Sequence, residues 1–145
     1  MKKKIYVVIA SIILFASNLA FASQNNFQFQ VKSYHTQRQS GQTLDLNIRY
    51  ALKDEVKSSQ YPDYRELREI ALRYLEPTSS LPMNTYWEII AKNIGDALMM
   101  AYPLSGISVQ MLVYDGGEAE PGLHGPIYTV GDVIPWNVSS SRNKV

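Results

Sequence analysis

The chain has 145 residues, no cysteine, and 14 basic against 13 acidic side chains, a formal charge of +1. That balance leaves no electrostatic footprint for nucleic acid, and the lack of cysteine excludes disulfides and lipid attachment at an N-terminal cysteine. Stability has to come from burial, with assembly as the further source open to a chain of this size.

The first 22 residues read as a secretory signal peptide. Lys2, Lys3 and Lys4 form a basic start, Ile5 to Leu14 is a short apolar run, and Ala20-Phe21-Ala22 is a small-x-small cleavage site. The run is too short for a stable transmembrane span, although an uncleaved N-terminal anchor is the competing reading. Cleavage leaves 123 residues with a formal charge of −2, because three lysines depart with the leader. The expected location is periplasmic or secreted, with no stable membrane insertion after cleavage.

Residues 23–136 read as one domain. Phe27 to Val31 alternates apolar and polar residues, the period-2 pattern of a half-buried strand. The polar stretch Lys32 to Gln42 ends in a turn composition, and Leu44 to Tyr50 alternates again, so the two runs are expected to form a hairpin. Asp63-x-x-Glu66 is a capping-box pattern opening a helix over Tyr64 to Leu75, with Leu67, Ile70, Ala71, Tyr74 and Leu75 on one face. Asn84 to Pro103 carries a second amphipathic helix, whose apolar stripe includes Trp87, Ile90, Ala91, Ile94, Ala97, Leu98 and Ala101. Ile107 to Tyr114 has apolar residues on both faces and is expected to be a central strand, and Ile127 to Val130 is a short fourth strand. Asn137 to Val145 has no periodicity and is expected to be a disordered tail. The class is therefore α+β: an antiparallel four-stranded sheet with two helices on one face, in the order strand, strand, helix, helix, strand, strand.

Few residues offer chemistry. Glu88 is the one acid near the start of the second helix. Thr85-Tyr86-Trp87-Glu88 is itself a capping-box pattern, so the structural reading of Glu88 is a cap. The functional reading is a carboxylate accepting paired hydrogen bonds from the amidine-like N–H edge of a pterin or a guanine-like base. Tyr61 is a hydrophobic staple on the first helix, or a group that stacks on a ring or donates a proton. His35 and His124 are the only histidines and have no ligand-spaced partners, so no metal is expected. With no Walker loop, dinucleotide glycine fingerprint or nucleophile elbow, no cofactor is expected either.

The order and spacing resemble the tunnelling fold, most closely the dihydroneopterin aldolases, over roughly Phe27 to Val133. The resemblance rests on Tyr61-Pro62-Asp63-Tyr64 before the first helix, Trp87-Glu88-Ile89-Ile90-Ala91 in the second, and Pro121-Gly122-Leu123-His124-Gly125 before the last strand. It implies that Glu88 anchors a pterin-like ligand, with Trp87 and His124 as further ligand contacts, and that Tyr61 is the active-site tyrosine. It also implies a homo-oligomeric ring with the pocket between subunits, so that Glu88 and Tyr61 come from different chains or from both sides of an interface. Two family groups have no counterpart. The lysine closing the third strand is replaced in Leu112-Val113-Tyr114-Asp115, and the glutamate of the first hairpin falls near Gln37. Export is a third departure, since folate biosynthesis is cytoplasmic. The resulting expectation is an exported, ring-forming binder of a pterin- or purine-like heterocycle, with or without aldolase chemistry. The competing expectation is a structural or interaction module of the cell envelope with no small ligand.

Overall fold

The computed structural model describes residues 25–114, 116 and 124–137. The expected leader, and the expected tail beyond Asn137, lie outside the described residues. Among the described residues the elements are β1 (Asn26–Thr36), β2 (Gln42–Leu52), α1 (Tyr64–Leu75), α2 (Trp87–Ala101), β3 (Leu104–Val113) and β4 (Ile127–Gly131). The strands form one antiparallel sheet in the order β1-β2-β3-β4, which makes β3 an interior strand, as expected from the apolar residues on both its faces. No described helix is long and apolar enough to cross a membrane.

Both helices cover one face. Leu44, Leu46 and Ile48 of β2 and Ile107, Val109 and Met111 of β3 are fully buried, and they meet Leu67, Ala71 and Leu75 of α1 and Ile90, Ile94 and Leu98 of α2. Period 2 on the strands and period 3.6 on the helices thus supply the two halves of a single apolar layer. Ala101, expected in the α2 stripe, is exposed at the helix end, whereas Gly95 is buried. A Cβ on Gly95 would stand 2.7 Å from the Tyr128 ring, so the absence of a side chain lets β4 approach the helix.

Three local expectations are corrected. β1 does not give way to a turn after Val31 but runs on to Thr36 through a bulge. Ser33 there has a φ of 52°, and its freed N–H donates to Asp45 Oδ1 at 2.8 Å, so the strand pays no unmet donor for the bulge. At α1, Asp63 caps by accepting from Arg65 N–H at 2.9 Å, but Glu66 does not close the box. Its carboxylate instead accepts from Tyr102 O–H at 3.4 Å. At α2, helical geometry starts at Trp87 rather than Asn84, with Tyr86 as N-cap and no side-chain capping bond.

The opposite face of the sheet is polar yet sheltered. Asp45, Asn47, Ser108 and Gln110 are at most 6% exposed there. Asp45 accepts from Tyr114 O–H at 2.9 Å as well as from Ser33, and Asn47 Nδ2 donates to Gln110 Oε1 at 2.9 Å. The chain after β4 crosses this face: Trp136 N–H donates to Ser108 Oγ at 3.0 Å, and the Arg49 guanidinium lies 4.0 Å over the Trp136 ring.

Candidate functional site

Arg38, between β1 and β2, sets the geometry around the start of α2. It is fully buried, and its guanidinium donates to the carbonyls of Tyr74 (3.1 Å), Glu76 (2.8 Å), Leu81 (3.1 Å) and Pro82 (2.7 Å). Burial lowers its pKa, and the Glu76 carboxylate opposes that shift. Four charge-assisted bonds from one rigid fork tie the β1–β2 connection to the end of α1 and the loop between the helices. Gln39 extends the clamp: its backbone N–H donates to Met83 O and its Nε2 to Thr85 O, each at 3.0 Å.

This clamped loop delivers Tyr86, Trp87 and Glu88 to the wall of a cleft of about 510 Å³. Gln39 and Gln42 form another part of the wall, and His124 a further part. The Trp87 indole N–H donates to Gln42 Oε1 at 2.9 Å, which fixes the ring across the cleft. His124 is held by its backbone, because Val113 N–H donates to His124 O at 3.1 Å and Met111 N–H to Pro126 O at 3.0 Å. Gly125 between them has a φ of 143°, and a Cβ there would be 1.9 Å from Met111 O, so only glycine permits this close passage.

Glu88 lies in the first turn of α2, where the N-terminal end of the helix dipole favours a negative charge. Its side chain is exposed and makes no hydrogen bond or ion pair with any described residue. The capping role open to it in sequence is therefore not taken up, and among the described residues nothing competes for the carboxylate. An exposed carboxylate, an oriented indole, a phenol and two amides in one cleft suit a flat, polar heteroaromatic ring: the indole and phenol offer faces to stack on, the carboxylate an acceptor pair.

Of the residues singled out in sequence, Glu88, Trp87 and His124 thus meet in one cleft, and Tyr61 does not join them. Tyr61 packs edge-on to Phe27, with ring centroids 5.4 Å apart, beside Leu52 and Lys53. Gln42 and Leu52 are opposite ends of the 11-residue β2, and the ten steps between them at about 3.4 Å each separate the two places by about 34 Å. His35 is also elsewhere, with Nδ1 3.2 Å from Thr43 Oγ1. Near Gln37, where the resemblance expects a glutamate, the Glu76 carboxylate is 3.4 Å from the Gln37 N–H and accepts from Tyr34 O–H at 2.8 Å. Burial, with Glu76 adding to it, pushes the Tyr34 phenol up to about 12. Sequence reasoning missed Gln39, Gln42 and Tyr86. No motif marks them.

No protein-family model and no curated protein matches the chain. Solved structures do match. A dihydroneopterin aldolase from a Burkholderia species, bound to guanine, superposes with a TM-score of 0.54 at 11% identity, covering 78% of this chain and 93% of that one. A Vibrio cholerae chain assigned as a dihydroneopterin aldolase gives 0.52 at 12% identity, covering 73% and 98%. The chain has the tunnelling fold of the dihydroneopterin aldolases, as the order of its elements suggested.

Proposed function

We propose that this is an exported protein that binds a pterin- or purine-like heterocycle in the Glu88 cleft, completed by a second copy of the chain. The observation that carries the reading is the uncommitted Glu88 carboxylate beside an indole held in place by Gln42. The guanine bound to the Burkholderia aldolase is a ligand of the right chemistry, since its N–H edge matches a carboxylate acceptor pair. The leader features at Lys2 to Ala22 support export. Assembly is supported by two facts: among the described residues β1 and β4 each leave one edge of the sheet unpaired, and Tyr61 is remote from Glu88 within a single chain. Binding without aldol cleavage is the favoured form, because Leu112 to Asp115 offers no lysine and the carboxylate beside Gln37 already holds Tyr34.

Thermal-shift titration with guanine and neopterin tests the ligand. Binding to the folded state raises the melting temperature by mass action. The wild-type protein should be stabilised, and Glu88→Gln should melt at the same temperature but lose the ligand-induced rise. A protein that neither ligand stabilises, or a Glu88→Gln variant that keeps the rise, overturns the reading. Light scattering tests the assembly: a multiple of the chain mass is expected, and a monomer would leave Tyr61 outside the site.

A further inference from the structure

The sheet face away from the helices holds a second cleft, of about 390 Å³, whose lining shares no residue with the Glu88 cleft. Gln28, Gln30, Asn47 and Gln110 bring four carboxamides to it from three strands, and Leu112 and Trp136 add apolar surface. Register places three of the amides in line, because Gln30 pairs with Asn47 and Asn47 with Gln110. They stand in a row across the strands at about 4.8 Å spacing. Trp136 is braced on one side by the Arg49 guanidinium and tethered by its own backbone N–H to Ser108.

Two polar atoms on this lining, Asn47 Oδ1 and Trp136 Nε1, are shielded from solvent and have no hydrogen-bond partner among the described residues. One is an acceptor and the other a donor. Asn47 is itself 95% buried, since only 5% of it is exposed. Such orphaned groups are costly, and a ligand that turned the Asn47 amide and the Trp136 indole toward the cleft would relieve that cost.

We infer that this cleft is a second binding site, for a neutral, hydroxyl-rich ring with the chemistry of a sugar. Carboxamides present donors and acceptors side by side, as hydroxyl groups do, so an amide row can take several hydroxyls without a charge on either side. An anion is disfavoured, because no lining residue is ionised and Arg49 is already shared among Gln28 Oε1, Ile134 O and Pro135 O. A flat base is disfavoured too, since its hydrogen bonds lie along its edge and one face of the Trp136 ring is already covered. A puckered ring projects hydroxyls toward the amide row and rests its C–H surface on Leu112 and the indole.

The two tryptophans report the two clefts separately, Trp87 in one and Trp136 in the other. Indole N–H resonances of the ¹⁵N-labelled full chain, assigned with Trp136→Phe, are to be followed during titration with glucose, N-acetylglucosamine, glucuronate and guanine. The expected result is a saturable shift of the Trp136 signal with a neutral sugar, none with glucuronate, and no guanine effect at Trp136. Gln30→Ala, at an exposed position, should weaken the sugar affinity at least about fivefold, one hydrogen bond's worth, without changing the melting temperature. Asn47→Leu should abolish it, and if that variant does not fold, Gln30→Ala decides alone. No saturable shift with either neutral sugar, an equal response to glucuronate, or an affinity indifferent to Gln30→Ala overturns the inference. Guanine acting on Trp87 is read separately, so failure of either cleft leaves the other result intact.

Discussion

Asn47 and Ile48 are neighbours on β2, and both are buried, yet they serve opposite faces of the same sheet. Ile48 is fully enclosed in the apolar layer between sheet and helices, where every contact adds to stability. Asn47 sits in an amide row, with one hydrogen bond made and one acceptor unmet. Transfer of Ile48 from water favours folding, whereas burial of the incompletely paired Asn47 costs about 1–3 kcal/mol. The difference teaches that one face holds the fold together, while the other carries a hydrogen-bonding cost that the first has to offset.

Substitutions can press on that contrast. Ile48→Ala removes three carbons from a fully enclosed site and should cost about 2–5 kcal/mol in chemical unfolding. Gly95→Ala acts on the same side by overpacking, since its Cβ would stand 2.7 Å from the Tyr128 ring, and should cost about 1–3 kcal/mol. Hydrogen exchange should show that loss concentrated in β4. On the polar face, replacing Asn47 and Gln110 together by leucine removes both ends of one hydrogen bond and the unmet acceptor. The change in stability should stay within about 1 kcal/mol, and a loss as large as that of Ile48→Ala would break the comparison. The smallest effect belongs to the exposed cap of α1. Arg65 holds the Asp63 carboxyl down to about 2 from its ordinary 3.8. A depressed carboxylate contributes stability that is complete above about pH 4 and is lost as pH falls through about 2. Asp63→Asn keeps a capping oxygen but not this pH dependence, so the melting-temperature gap between wild type and variant should be present at pH 6 and close toward pH 2.

The fold was legible wherever the signal was local. The alternation in Leu44 to Tyr50 and the three- and four-residue spacing from Ile90 to Leu98 place β2 and α2, because side-chain direction follows from backbone geometry alone. The break after Val31 was misleading: the strand survives its bulge because Asp45, twelve residues on, accepts the loose Ser33 N–H. Glu88 was legible as the acid at the start of the second helix but not as one uncommitted among the described residues. Its cap pattern fails because helical geometry starts only at Trp87, after a loop that Arg38 holds from a distant part of the chain. Gln42 and Trp87 lie 45 positions apart, and nothing in either neighbourhood announces their hydrogen bond.

The sequence by itself determined the element order, the apolar layer and the acid that now lines a cleft, since these follow from periodicity and residue type. It could not determine which polar groups would find partners. That was decided by strand register, which lines up Gln30, Asn47 and Gln110, and by the return of the chain that lays Trp136 across them. Tertiary structure also divided the expected site, placing Glu88, Trp87 and His124 at one end of β2 and Tyr61 at the other. The physical reason is range: apolar burial is non-directional and tolerates approximate placement, whereas a hydrogen bond needs its partner within about 3 Å.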